Sequence, residues 1–455
     1  MARRARRGID SKVIAAVIVV ILIIAGAAIY LGKKGGEEAA GGGGGEYVTI
    51  KIGALLPLTG DLQSYGQRAS AAIEYAVKEM NDYLAQHNAS FRLELVVENT
   101  ETKPDIAVQK MNTLVAQGVK FVVGPMTSAE VKKIKQIADQ NKVLVISPSS
   151  TAIELAIPGD YIYRFCPADD VQSQVIGKLA EDLGIKAVII VNRADTWGQG
   201  LMNATKNVLE SKGVEVYKVH PYDPEAKPFS QIASDLNNEV QELVNEYGKD
   251  KVAVVAISFG EIADLFQIAQ NYPILSQVLW IGSDGTAKLD EITTNPDAAD
   301  FAVKTLFINP IFSPAPTSVA DKVAQYVKQK TGSEPDAYAL AAHDAVVAIA
   351  LAIMQAPQDY LNDPNKLVDF VKQKIPEIVS SDEFAKLSAT GKFTLNEAGD
   401  RATADYDLWI VEEQNGQYQW VKVGTYYGNE QKIEWITLPN GKTFPEMFAE
   451  RFGSA

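Results

Sequence analysis

From residue 47 onward the sequence repeats one unit: a short Val/Ile-rich run, a polar or glycine turn, then an amphipathic stretch of helical period. Residues 49–56, 92–98, 120–123 and 143–147 read as strands, with helices over 68–85, 105–117 and 128–140. On 105–117, Ile106, Val108, Met111, Leu114 and Val115 fall on one face. A second series runs helix 170–183, strand 187–192, helix 200–212, strand 214–220, helix 229–247, strand 251–257, helix 261–271 and strand 278–282. The strand runs are apolar at successive positions, which is the pattern of parallel sheets covered by helices on both faces. Two such series predict an α/β protein of two doubly wound, Rossmann-like lobes, and roughly four hundred residues are too many for one core. Further helices near 318–331, 338–355 and 366–374, then a β-rich stretch over 391–427, predict that the chain recrosses between the lobes. The expected division is 47–168 in lobe 1, 169–283 in lobe 2, 284–390 back in lobe 1, 391–436 in lobe 2, and a C-terminal extension over 437–455.

A different kind of sequence precedes this. Residues 13–31 are nineteen uncharged, almost wholly apolar residues. At about 1.5 Å per helical residue they span roughly 28 Å, close to the ~30 Å hydrocarbon core of a bilayer. Arg3, Arg4, Arg6, Arg7 and Lys12 precede the run, against Lys33 and Lys34 after it. Residues 1–12 are therefore expected to stay cytoplasmic. Ala25-Gly26-Ala27 offers a small-residue cleavage site, as in a secretory signal. The length of the run and its continuation through Ile29, Tyr30 and Leu31 favour a retained anchor. Residues 32–46 form a glycine-rich tether with a reach of roughly 20 Å. The expected location is the cell membrane, with one N-terminal anchor and the folded part extracellular.

Composition removes several function classes. Residues 1–34 carry seven Lys/Arg and one Asp, or +6, which leaves −20 on the remainder of a chain whose net charge is −14. So acidic a surface repels nucleic acid and anionic lipid. Cys166 is the single cysteine, which excludes an intramolecular disulfide and a cysteine-cluster metal site. His87, His220 and His343 lie far apart without a His-x-x-x-His pattern, so neither a zinc site nor a histidine triad is expected. No Gly-x-Gly-x-x-Gly follows a strand and no Gly-x-Ser-x-Gly elbow is present. Catalytic residues, cofactors and metals are all expected to be absent, and the chain is expected not to be an enzyme. Asn88-Ala89-Ser90 and Asn203-Ala204-Thr205 are glycosylation triplets that fit an exported protein, although such triplets arise often by chance.

Open α/β sheets bind ligands at the loops beyond the carboxyl ends of their strands. The loop after the first strand runs from Pro57 to Gly66 and contains Tyr65; the third strand leads into Gly124-Pro125-Met126-Thr127-Ser128, and the fourth into Ser147-Pro148-Ser149-Ser150-Thr151. The second series offers Asp195-Thr196-Trp197-Gly198 and Ser283-Asp284-Gly285. Ser128 stands at a helix N-terminus, where it either caps the helix or helps hold an anion, and the two roles can coexist. Ser149 and Thr151 bring hydroxyl donors, though such runs are commonly plain turns. Asp284 either caps a following turn or answers a cation. Tyr65 and Trp197, read as loop aromatics, suit the apolar face of a ligand site.

Together these segments resemble the type I periplasmic binding proteins of ABC transporters, in the branched-chain amino acid-binding group. The similarity covers about residues 49–427. It rests on Ile50-Lys51-Ile52-Gly53 with Thr59-Gly60 and Tyr65-Gly66, Val122-Val123-Gly124-Pro125 before Thr127-Ser128, and Ile146-Ser147-Pro148 with Thr151. It continues through Trp197-Gly198-Gln199-Gly200 (where the family often has tyrosine), Gly282-Ser283-Asp284-Gly285, and Gly391-Lys392-Phe393 with Gly399-Asp400. The resemblance implies that Ser128, Ser149 and Thr151 hold a ligand carboxylate and that Asp284 meets its ammonium. Tyr65, Met126 and Trp197 would surround the side chain, with a further aromatic contact at Phe259 or at neighbouring Ser258. Asp284 stands where the family frequently has glutamate, a shorter reach that leaves room for a different amine or a bridging water. The implied function is the extracellular solute-binding subunit of an importer, which captures a leucine, isoleucine or valine between two lobes. Its implied partners are the permease and ATPase subunits. The alternative is a ligand-sensing receptor ectodomain of the same fold binding an amino acid, amide or urea-like ligand, for which a second membrane helix or a cytoplasmic output module is expected.

Overall fold

The Val/Ile runs build two parallel sheets. The first series comprises β1 (Val48–Leu56), α1 (Gln63–Gln86), β2 (Phe91–Asn99), α2 (Pro104–Ala116), β3 (Phe121–Val123), α3 (Ser128–Asn141), β4 (Leu144–Ser147) and β5 (Ile162–Arg164). Its strands pair in parallel in the order β2-β1-β3-β4-β5. The second comprises α4 (Asp169–Asp182), β6 (Ala187–Arg193), α5 (Thr196–Ser211), β7 (Glu215–Tyr222), α6 (Phe229–Tyr247), β8 (Val252–Ile257), α7 (Ile262–Ala269) and β9 (Leu279–Ile281). These strands are also parallel, in the order β7-β6-β8-β9. Every residue of β6 and β8 is buried, as continuous apolar runs require. This computed structural model describes residues 47–453, all within one compact unit. The apolar run at 13–31, its basic flank and the tether lie outside the described residues.

The remaining elements are α8 (Asp290–Thr293), α9 (Pro296–Lys304), β10 (Asn309–Ser313), α10 (Ser318–Thr331), α11 (Ala337–Met354), α12 (Pro364–Val379), α13 (Asp382–Leu387), β11 (Asp405–Gln414), β12 (Gln417–Tyr427), β13 (Lys432–Trp435) and α14 (Phe444–Phe452). α8 and α9 pack on α7 of the second half, so the return to the first half expected at 284 comes only after β10, and α10 and α11 then pack on α1 of the first. α11 is long and apolar enough to cross a membrane, but Ala337 through Ile353 are all buried, so here it is a core helix. β10 to β13 form a third, antiparallel sheet in sequence order. The chain passes between the halves at 165–168, at 314–317 and again from Asp400, which bridges to Arg164 at the edge of the first sheet, into β11. Arg164 and Asp400 lock that edge with a buried two-pronged ion pair, Nε to Oδ1 at 2.6 Å and Nη2 to Oδ2 at 2.5 Å.

Several boundaries differ from the sequence reading for local reasons. α1 begins at Gln63, so Tyr65 and Gly66 are helical and not in a loop. Gly66 looks like a turn residue, but a Cβ there would lie 2.1 Å from the Pro57 carbonyl oxygen, and its absence lets the helix seat against that strand end. α5 begins at Thr196 because the Asp195 carboxylate accepts the Gly198 amide at 2.9 Å, so Trp197 also lies in a first helical turn. The β-rich stretch expected from residue 391 forms regular strand only from Asp405.

Candidate functional site

Each parallel sheet has a point where its strand order reverses, between β1 and β3 in the first and between β6 and β8 in the second. Connections leave opposite faces there, which opens a crevice at the strand ends. The two crevices face each other. From the first half Leu62, Tyr65, Met126, Thr127, Ser128 and Ser149 line a shared cavity. From the second come Trp197, Phe259, Asp284 and Gly285, and Tyr338 adds its side chain from the start of α11. Seven of the eight sequence-derived candidates therefore converge. Thr151 does not line the cavity; its hydroxyl is buried nearby without a hydrogen-bond partner.

The α3 end carries donors. Thr127, and not Ser128, is the N-cap: its Oγ1 accepts the Glu130 amide at 3.2 Å while the Glu130 carboxylate accepts the Thr127 amide at 3.1 Å. That reciprocal box uses two of the four amides a helix end leaves free. The amides of Ser128 and Ala129 remain, at the positive end of the helix dipole. Ser128 Oγ accepts the Ala152 amide at 3.1 Å, and Ser149 Oγ donates to the Met126 carbonyl at 2.7 Å, so both hydroxyls are fixed in place. Arg164 steadies the same loop by donating to the carbonyls of Ser150 and Ala152, at 2.9 and 2.8 Å.

The opposite wall carries the acid. Asp284 is 3% exposed; the Tyr338 hydroxyl donates to its Oδ2 at 2.5 Å, and Oδ1 has no partner. Gln172 links it to a second buried acid: Oε1 accepts the Asp284 amide at 2.8 Å, and Nε2 donates to Asp169 Oδ1 at 3.3 Å. Burial pushes the Asp284 carboxyl above its ordinary value, and burial with the neighbouring Asp284 charge pushes Asp169 well up. Trp197 and Phe259 line the same cavity, stacked with centroids 4.7 Å apart. Gly285 permits this: a Cβ there would lie 2.7 Å from both rings. Phe259, not Ser258, lines the cavity, and the Ser258 hydroxyl is engaged with Tyr222 at 2.6 Å.

Thr127, Leu62, Gly285 and Tyr338 complete the wall without having been singled out. Thr127 had a readable signal, the Thr-x-x-Glu capping box; Tyr338, inside an all-apolar helix, had none. The cavity measures about 20 Å³, room for a single water and far below the ~300–1,000 Å³ of most ligand pockets. Contacts between the halves hold this closed form. Glu291 accepts the Ser64 amide and hydroxyl at 3.0 and 2.6 Å, Arg68 pairs with Asp290 at 2.5 Å, and Asp61 meets Lys227 at 3.2 Å.

Residues 68–414 match the family described as the receptor family ligand binding region. An uncharacterized protein of Methanocaldococcus jannaschii is 36% identical over 395 residues, covering 85% of this chain and 91% of its own length. A Leu/Ile/Val-binding protein of Rhizobium johnstonii, BraC3, is 27% identical over 370 residues, covering 80% of this chain and 92% of its own. Among solved structures, the branched-chain amino acid transporter substrate-binding protein LivJ of Streptococcus pneumoniae, in complex with isoleucine, superposes with a TM-score of 0.65 at 21% identity, covering 82% of this chain and 99% of that one. With two parallel sheets whose switch points face each other, the chain has the type I periplasmic binding protein fold and belongs to the receptor ligand-binding-region family, in which its relatives include Leu/Ile/Val-binding proteins.

Proposed function

We propose that this protein is the solute-binding subunit of an ABC importer, capturing a small zwitterionic amino acid between its two halves, with the branched-chain amino acids as first candidates. The observation that carries this reading is the buried, partnerless Oδ1 of Asp284, which shares one cavity with the α3 amides and the Trp197–Phe259 pair. An ammonium fits the carboxylate, a carboxylate fits the helix end, and an aliphatic side chain fits the aromatic and Met126 wall. On the carboxylate side the Ser128 hydroxyl, which accepts the Ala152 amide and keeps its proton free, adds a donor. Ser149, whose proton goes to the Met126 carbonyl, and Thr151, off the cavity wall, would join only by turning when a ligand enters. The closed cavity is too small for such a ligand, so entry requires the halves to part about the crossings at 165–168, 314–317 and 400–405. A ligand favours closure only by binding the closed form more tightly than the open one. In this reading residues 13–31 anchor the protein at the membrane, where it meets the permease and ATPase subunits.

The test is a thermal-shift screen of residues 47–455 against the twenty amino acids, followed by calorimetry. A saturable rise in melting temperature with leucine, isoleucine or valine supports the reading, since ligands of the folded state stabilise it by mass action. A flat response to all twenty refutes it.

A further inference from the structure

A second and larger cavity, about 610 Å³, lies beside the segments that cross between the halves. It is walled by residues 313–316 leaving β10, by 401–405 entering β11, and by Lys422, Thr425 and 427–429 of β12 and its turn. Arg401 lines it and is only 7% exposed. A guanidinium carries five N–H donors, and this one makes a single hydrogen bond, from Nη1 to Thr390 Oγ1 at 3.2 Å. Nε is buried without a partner, and no carboxylate pairs with Arg401 among the described residues. The nearest anionic help is relayed: the Thr390 hydroxyl donates to Asp344 Oδ2 at 2.6 Å, an oxygen that also accepts the Ser388 hydroxyl. The rings of Phe393 and Phe312, with centroids 4.4 and 5.3 Å from the guanidinium, offset part of the desolvation. That desolvation pulls the Arg401 pKa down to about 10, which still leaves it charged at neutral pH. The other charges on the wall are committed. Lys422 pairs with Asp407 at 2.6 Å, the Thr425 hydroxyl donates to the same Asp407 at 3.0 Å, and Asp405 accepts the Gly428 amide at 3.0 Å.

We propose that this hinge cavity binds a small oxyanion, a carboxylate or a phosphate, on the unpaired Nη2 of Arg401. Buried cations are almost always paired, and Nη2 is the one guanidinium nitrogen that is neither hydrogen-bonded nor sealed from water. The site is separate from the Asp284 cavity and does not depend on what that cavity holds.

The test titrates sodium acetate and sodium phosphate separately into ¹⁵N-labelled protein at an ionic strength held constant with sodium chloride. The readouts are the Arg401 Nε resonance and calorimetric affinity. We expect one saturable shift of that resonance, by phosphate alone, acetate alone or both, the pattern identifying the anion class, and a loss of affinity of about tenfold or more in Arg401→Gln. Acetate can also enter the Asp284 cavity, so affinity unchanged by Arg401→Gln overturns the proposal. Neither anion moving the wild-type resonance up to about 10 mM overturns it as well. That wild-type measurement decides the matter if Arg401→Gln does not fold.

Discussion

Asp284→Asn should make the unliganded protein more stable and nearly abolish ligand capture. Asparagine keeps an oxygen to accept the Tyr338 hydroxyl, and it replaces a partnerless, buried anionic oxygen with a neutral amide. Leaving a buried polar group unsatisfied costs about 1–3 kcal/mol, more when charged; the asparagine Nδ2 is left unpartnered too, so the variant should gain only the excess due to the charge, about 1 kcal/mol in the absence of ligand. The sign follows from the pKa. A carboxyl whose folded value is raised by burial costs the folded state stability at any pH above its unfolded value near 3.9, and the cost stops growing once the pH exceeds the folded value. The wild type should therefore recover stability as pH falls through the folded pKa, and Asp284→Asn should lack that slope. With ligand the sign reverses, because the ammonium loses its desolvated counter-charge. The expected loss is about 2–4 kcal/mol, thirty- to thousandfold in affinity. Urea unfolding of both forms from pH 4 to 8, with calorimetry of the best amino acid in buffers of different ionisation enthalpy, reads every part of this. Binding to the wild type should release protons as the ligand pulls the Asp284 pKa down. Unchanged affinity in the variant, or an unliganded variant less stable than the wild type, refutes the assignment of Asp284 as the ammonium partner.

Three further outcomes are expected. Ser128→Ala should weaken ligand binding by about 1–2 kcal/mol in calorimetry, since the Ser128 and Ala129 amides remain in place while the hydroxyl that accepts the Ala152 amide is lost. Glu291→Ala removes the acceptor of both Ser64 hydrogen bonds across the halves; ligand release should accelerate, about five- to thirtyfold for ~1–2 kcal/mol, with a larger radius of gyration for the unliganded protein in solution scattering. His343 is buried; burial opposes its charge, but hydrogen bonds to Asp344 and Glu79 outweigh this and hold its pKa above the ordinary value. Its contribution is full below the unfolded pKa near 6.5 and is lost as pH rises through the folded value, so urea melts should show a fall over that interval that His343→Gln lacks.

The fold was legible because parallel strands buried on both faces announce themselves as unbroken Val/Ile runs, such as those of β6 and β8. What escaped was short or set by distant partners. β5 has three residues, and its edge is completed by Arg164 bonding Asp400, 236 residues away. The site was legible where a loop follows a strand, since the strand's end fixes the loop's place. It was illegible where two neighbouring side chains compete for one position. Ser258 and Phe259 are both buried after β8, and only their partners, the Tyr222 hydroxyl and the Trp197 ring, decide which faces the cavity.

Tyr338 shows the deeper limit. α11 is apolar on every side, so no face of it is marked in the sequence, and the hydroxyl that meets Asp284 is 54 residues from its partner. In the proposed site, that contact sets which oxygen of Asp284 is free. With Oδ2 occupied by Tyr338, a ligand has one free oxygen on Asp284, which suits a single ammonium. The same geometry gives Tyr338→Phe a distinct signature. It frees the second oxygen, deepens the unsatisfied burial and raises the Asp284 pKa further. Capture should therefore weaken most at low pH, where the carboxyl must first give up its proton, and recover toward the wild-type affinity as pH rises. A loss of affinity independent of pH would mean that Tyr338 acts on the ligand directly and not through Asp284.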